Sequence, residues 1–400
     1  MKTRIHNITI YDGMKNILEN TSVIFDENGI LEIGTECDAD TAIDGTGMFL
    51  LPGLVNLHVH IDANPLKDFG TRPDISEAES AYRALINAHK HLRSGTTTVR
   101  NMGSRFDIDI KLRDAINQGL IHGPRIFASG IPLTMTGGHG HSMAYEVDGC
   151  DAVRKHARLQ LKKGADVVKL FATGGGMTKG VKPGASQLSE AEMRAACEEA
   201  EHTGKTTAAH AQGNGGIKNC IRAGITSVEH GVELDDEAIA MMLERGTYLV
   251  ATLAAPYNTT RHGTAAGIPD WAVKKNQEAL IPHRASFKKA LAAGVKIAAG
   301  NDAGTPFNAH DDFVTELWLM QEQGMDFQSV LHAATYMGAC VLNMEEVFGS
   351  IEAGKRADFI LVEADPAQDI QNLRKIHSVY VGGKKMFDHA CNPEAVLGNM

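Results

Sequence analysis

The chain has 400 residues, 43% of them hydrophobic and 22% charged, which is the composition of a globular protein. A chain of this length buries roughly three quarters of its unfolded surface, so it needs no covalent staple to fold. Lys+Arg 39 against Asp+Glu 49 leaves a net charge of −10 with no basic run, and no apolar stretch approaches the ~20 residues of a bilayer span, so nucleic acid and membrane are not expected partners.

The N-terminus, Met1-Lys2-Thr3-Arg4, runs directly into a polar alternation, and no secretory leader is expected. Arg4 to Tyr11 alternates, with Ile8 and Ile10 opposed to Asn7 and Thr9. Val23–Phe25 and Ile30–Ile33 flank a turn at Glu27-Asn28-Gly29, and Ala42–Asp44 and Met48–Leu51 follow as short strands. After Pro52-Gly53 the pattern changes. Eight short apolar strands are predicted: Leu54–His60, Thr96–Arg100, Arg125–Ser129, Asp166–Phe171, Thr206–His210, Thr226–Glu229, Tyr248–Thr252 and Lys296–Gly300. Helical patterns lie between them, such as Glu77–Ser94, Val153–Lys163, Ser189–Thr203 and Trp271–Ala293. Seven of the helical segments run into glycine, at Gly95, Gly164, Gly204, Gly224, Gly246, Gly294 and Gly324, the residue that accepts the left-handed turn past a helix end. Strand character returns at Ala357–Val362 and Ser378–Val381.

Eight strand–helix units point to an α/β fold, a (β/α)8 TIM barrel, with a doubly wound open sheet as the competing arrangement. Neither chain end has enough strands to close a core alone. The expected organisation is therefore a barrel over 54–344 beside one small β-sandwich built from 1–53 and 345–400. The six cysteines (Cys37, Cys150, Cys197, Cys220, Cys340, Cys391) form no CxxC pair, which points to a reducing, cytoplasmic compartment.

The chemistry gathers at strand ends. His58 and His60 are two apart on one strand and so share a face. Lys169 interrupts the apolar run Val167–Phe171, His210 and His230 end the fifth and sixth strands, and Asp302 follows the eighth. All strands of a barrel run parallel, so these six side chains reach one mouth. Any one of them alone reads as a core histidine, a snorkelling lysine or a helix cap; six together read as a metal site. A lysine inside a barrel has its pKa lowered by desolvation. Its neutral amine can add carbon dioxide, and the resulting carbamate can bridge two cations. The bland alternative pairs Lys169 with an acidic neighbour.

These residues stand in the segments PGLVNLHVH, GTTTVRNMG, TGGHGH, VVKLFATGGG, AAHAQG, SVEHG, AAGNDAG and GSIEAGKRADFILVE. With them the chain resembles the amidohydrolase superfamily over nearly its whole length, most closely its metal-dependent dipeptidase and carboxypeptidase branch, the prolidase-like members related to imidazolonepropionase. The resemblance implies two divalent ions of the zinc type, with His58, His60 and Asp302 on the first, His210 and His230 on the second, and N6-carboxylysine at Lys169 bridging both. It also implies a homo-oligomer. A bridging hydroxide would attack an amide carbonyl while Asp302 takes its proton and passes it to the departing nitrogen.

The expected substrate is a small amide, a dipeptide or N-acyl amino acid. The alternatives are a cyclic amide, a carbamate or urea-like compound, a deamination, or a catalytically silent binding barrel. His139, in the glycine-rich Gly137–His141 loop, is the candidate for stabilising the oxyanion or a substrate carboxylate, with His141 beside it. Arg100 ends the second strand and can pair with a carboxylate or with a structural acid. Tyr257 is a candidate pocket cap. Gln212 stands where related dipeptidases often carry tyrosine or histidine, and Asn101 follows Arg100 where many relatives carry aspartate. Lys179 and Lys182 read as solvated.

Overall fold

A computed structural model of the chain describes residues 1–34, 38–66 and 75–389. Five strands come first: β1 (Thr3–Tyr11), β2 (Ile17–Asp26), β3 (Gly29–Ile33), β4 (Thr41–Asp44) and β5 (Phe49–Pro52). Nine more lie in the central segment: β6 (Leu54–Val59), β7 (Thr96–Asn101), β8 (Arg125–Phe127), β9 (Leu133–Thr134), β10 (Tyr145–Glu146), β11 (Val167–Phe171), β12 (Thr206–Ala211), β13 (Ser227–His230) and β14 (Tyr248–Val250). Three close the chain: β15 (Phe359–Val362), β16 (Ile376–Val381) and β17 (Lys384–Asp388).

The two chain ends share one eight-stranded sheet, in the order β17-β16-β15-β5-β1-β2-β3 with β4 on β1. The join is antiparallel and in register, Phe359 opposite Pro52 and Val362 opposite Phe49. The alternation in β1 buries Ile8 and Ile10 in an apolar cluster with Phe25, Leu50, Phe359 and Tyr380. The strands expected to form the sandwich are thus joined in one hydrogen-bonded sheet. The turn falls within the predicted Glu27-Asn28-Gly29 segment, with Asp26 paired to Gly29 across Glu27 and Asn28.

The central strands are parallel and fall into two groups, β6-β7-β8 and β10-β9-β11-β12-β13-β14. Backbone hydrogen bonds tie the groups together. Asp166 N–H donates to Ala128 O at 2.7 Å on one side. On the other, residues 296–303 lie between β14 and β6: Ala298 N–H donates to Leu249 O at 3.0 Å, and Leu57 N–H donates to Ala299 O at 3.0 Å. The arrangement is TIM-barrel-like, with helices outside. The predicted eighth strand, Lys296–Gly300, is one bridge at Ile297 rather than a regular strand. The reason is local. A side chain on Gly300 would meet His58 N at 2.8 Å, and the chain turns left-handed at Asp302 (φ 60°) to aim its carboxylate inward. All seven predicted helix-ending glycines have positive φ. Among the described residues no helix is long and apolar enough to cross a membrane.

Candidate active site

One cavity opens at the C-terminal ends of the parallel strands, and His58, His60, His139, Lys169, His210, Gln212, His230 and Asp302 all line it. Strand geometry delivers most of them. Val168 and Leu170 point outward into the main apolar core, and Lys169, between them on β11, therefore points in. His210 on β12 is aimed by the same alternation, between outward Ala209 and Ala211. His230 and Asp302 arrive differently: both have left-handed backbone, φ 71° and 60°, as does Thr252 at 56°. Such conformations cost about 1 kcal/mol or more each in residues with a Cβ and persist where the surroundings over-determine them.

His58 Nε2 lies 3.5 Å and His60 Nε2 3.3 Å from Asp302 Oδ1. The donor atoms of His58, His230 and Asp302 all lie within 4.8 Å of one another. The opposite ring nitrogens are tied down. His58 Nδ1 donates to Glu229 Oε2 at 2.7 Å, and His60 Nδ1 donates to Gly103 O at 3.4 Å. Thr252 gives its own hydroxyl proton to Ala251 O, so His230 Nδ1 donates to Thr252 Oγ1 at 2.7 Å. His210 uses Nε2 toward Gly174 O at 3.4 Å, which leaves Nδ1. Each ring thereby keeps one bare nitrogen lone pair.

Burial controls the protonation states. It drives His58, His210 and His230 well below the ordinary histidine range, reinforced by Lys169 beside His58, His139 beside His210 and His58 beside His230. His139 is pushed down to about 3, chiefly by burial and then by Lys169. Burial raises the Asp302 carboxyl, but His58 and His60 outweigh it and hold it below its usual value. Lys169 is 2% exposed, and burial lowers its amine to about 8 against the pull of Glu229 and Asp302. Among the described residues no carboxylate lies within 4.0 Å of its Nζ, so the bland pairing with an acidic neighbour is absent.

The donor set fits divalent metal ions. Asp302 Oδ1 is buried and has no well-formed hydrogen bond among the described residues, with His60 Nε2 at 3.3 Å, a costly state for an anion that a cation would relieve. Bare imidazole nitrogens and a carboxylate oxygen around it suit transition metals. Histidines oriented through their second nitrogen by a carboxylate or hydroxyl are the usual outer support of such a site.

Three predicted substrate contacts lie elsewhere. Arg100 is fully buried within the barrel, where it donates to Glu229 Oε1 at 2.8 Å, Ser227 Oγ at 2.8 Å and Leu57 O at 2.7 Å; it is a structural ion pair and not a substrate clamp. His141 is exposed in the turn after His139, outside the cavity lining. Tyr257 packs on Trp318 with ring centroids 5.9 Å apart. Its helix turns Ala255, Pro256 and Thr259 toward the mouth instead, and a residue between them on a 3.6-residue period faces away. Lys179 and Lys182 are exposed, as expected. Asn101 is a buried tie, donating to Ser104 Oγ and Asp109 Oδ2, both at 3.0 Å.

Sequence reasoning missed Glu229, Thr252 and Thr178. Glu229 had a signal: a carboxylate sharing the inward face of β13 with Ser227, needing a buried cation that Arg100 supplies. The two threonines had none, because their partners come from other elements. Thr178 Oγ1 lies 2.8 Å from His139 Nδ1.

Residues 49–386 match the Amidohydrolase family. The fold superposes on a Xaa-Pro dipeptidase solved with methionine in its active site, at 33% identity and a TM-score of 0.89, covering 97% of this chain and 100% of that one. It also superposes on a prolidase complexed with N-methylphosphonate-L-proline, at 28% identity and a TM-score of 0.90, with 97% and 100% covered. In sequence, an ochratoxinase of Aspergillus niger is 29% identical over 407 residues, 92% of this chain and 83% of that protein.

Proposed function

The chain belongs to the amidohydrolase family, an enzyme acting on C–N bonds, and from that premise we propose that it is a binuclear metal-dependent hydrolase of a small amide, a dipeptide or N-acyl amino acid. The observation that carries this reading is Lys169, a buried amine with no carboxylate within 4.0 Å among the described residues, in the same cavity as His58, His60, His210, His230 and Asp302. In its neutral form the amine attacks carbon dioxide, forms an N–C bond and releases its proton. The carbamate so made is an anion placed among bare imidazole nitrogens, able to join two cation sites into one. His58, His60 and Asp302 would hold one ion, His210 and His230 the other. Divalent ions there, zinc or a similar metal, would supply an acidified water and a polarised carbonyl.

The chain's own residues then do the rest. Asp302, whose Oδ1 lacks a well-formed hydrogen bond among the described residues, accepts the proton of the attacking water and returns it to the departing nitrogen. His139 at the cavity wall faces the carbonyl oxygen, and Gln212 lines the substrate end. The likeness to a Xaa-Pro dipeptidase and to a prolidase bound to a proline phosphonate supports a C–N bond flanked by an amino-acid carboxylate. We propose further a closed (β/α)8 barrel over 54–344, with a second domain from 1–53 and 345–400, and a homo-oligomeric, cytoplasmic enzyme. Cys150, Cys197, Cys220 and Cys340 are free thiols among the described residues; Cys37 and Cys391 lie outside them.

The test is a panel of dipeptides and N-acyl amino acids, offered to enzyme loaded with metal in bicarbonate. Turnover releasing an amino acid is expected. Ammonia as the sole nitrogen product would mean a deaminase, and silence across the panel at two metals per chain would end the hydrolase reading.

A further inference from the structure

We infer that Thr178 is a positioning residue that fixes His139 with its ring proton on Nε2, the reverse of the arrangement at His58, His60 and His230. The argument is a count of protons. Gly140 N–H donates to Thr178 Oγ1 at 3.2 Å, so the hydroxyl oxygen is an acceptor there. The hydroxyl's own proton has one protein acceptor among the described residues, Nδ1 of His139 at 2.8 Å. With Nδ1 as the acceptor of that proton every polar group of this cluster is paired within the protein, and the single proton of the uncharged ring then sits on Nε2. At His230 the same residue type acts in the opposite sense. There Thr252 spends its proton on Ala251 O, and His230 must donate from Nδ1. Two threonines thus sort two cavity histidines into a bare-nitrogen ring and an N–H donor ring.

The loop that carries Thr178 is built to hold this contact. It leaves β11 and doubles back, with Gly174 N–H donating to Ala185 O at 2.9 Å and Gly184 N–H to Gly174 O at 3.0 Å. Lys275, from the helix Asp270–Ala293, donates to Thr178 O at 2.7 Å and Val181 O at 2.6 Å. A Cβ on Gly175 would meet His139 Nε2 at 2.5 Å, so the loop lies directly on the ring. Gln187 accepts from His139 N–H at 2.9 Å and fixes the backbone. An Nε2–H donor at the wall of this cavity supplies a hydrogen bond to a developing oxyanion, whereas a bare Nε2 would repel it. That last step rests on the hydrolase reading; the tautomer does not.

Two measurements separate the parts. The first is ring-nitrogen NMR of metal-free protein carrying 15N-histidine, with His139 assigned through His139→Asn. The wild type is expected to show the Nε2–H form, and Thr178→Val a shift toward Nδ1–H, with Thr178→Ser restoring the wild-type signal. The second is kinetics on whichever amide the wild type hydrolyses. Thr178→Val is expected to lose about tenfold to a hundredfold in kcat, a fraction of what a whole oxyanion donor supplies, with KM little changed. Thr178→Ser should stay within about threefold of wild type. An unchanged tautomer in Thr178→Val, or an equal loss in Thr178→Ser, would overturn the assignment. If the wild type hydrolyses no amide, the hydrolase reading fails and the NMR arm alone decides the role of Thr178.

Discussion

Lys169 shows how much one side chain can imply. A 2%-exposed amine with no carboxylate within 4.0 Å among the described residues is costly to keep as an ammonium, and burial lowers its pKa toward the neutral form. Lys169→Ala is expected to bind at most a small fraction of the wild-type metal and to lose turnover by 10³-fold or more, about the scale of a whole catalytic group; propionate or another short carboxylate should restore part of both. Metal content by elemental analysis checks the first half, and full metal occupancy would contradict it. Asp302→Asn should keep the fold and lose about 10²–10⁴ in kcat, since an amide cannot accept the proton. Circular dichroism beside the rate assay separates that outcome from misfolding. Both residues were legible in the sequence, because a lysine inside an apolar strand and an aspartate after one are anomalies on their face. Arg100 looked equally anomalous, and its partner Glu229 lies 129 positions away, so its role waited on the fold.

At the level of elements, the loop after β11 and the helix Phe313–Glu322 hold the mouth. Gly175→Ala places a methyl group 2.5 Å from His139 Nε2 and 2.7 Å from His210 Nε2, so one ring must move. The expected result is a folded protein with weakened metal retention on dialysis; wild-type retention would show that the loop yields instead. Glu316 accepts Leu253 N–H at 2.9 Å and Ala254 N–H at 2.6 Å, yet burial still raises its carboxyl to about 8. The sign follows from linkage. Between pH 4.5 and about 8 the unfolded chain has released this proton and the folded chain keeps it, so stability falls as pH rises through that window. One proton contributes at most about 1.4 kcal/mol per pH unit. Urea denaturation of metal-free protein at pH 5 and pH 8 should show a smaller difference in Glu316→Gln than in wild type. No pattern in the helix announced Glu316, since its two backbone donors belong to the segment after β14.

Across the whole molecule, the sheet that joins the chain ends is the largest feature outside the barrel-like region. β15 pairs with β5 along Phe49–Pro52, and β5 runs into β6 through Gly53, where a Cβ would meet Thr97 Oγ1 at 2.1 Å. The strand of His58 therefore starts from a support that β15, β16 and β17 complete. Removing residues 349–400 should strip the cover from Ile8, Ile10, Phe25 and Leu50 and yield aggregated protein with no retained metal. A soluble, metal-binding truncation would show that the barrel-like region folds without its neighbour sheet.

The amino-acid sequence by itself determined the strand–helix rhythm, the glycine stops and the residue types at the strand ends. These depend on near neighbours: side-chain alternation, the left-handed freedom of glycine, and hydrophobic runs of four to six residues. Only the tertiary structure decided which polar groups face one another. Arg100 turned inward to Glu229, Tyr257 turned out to Trp318, and Thr178 and Thr252 each met a histidine from another strand or loop. The physical reason is that a hydrogen bond or an ion pair acts over about 3 Å in space, and a chain read along its length carries no record of which distant residues that space will hold.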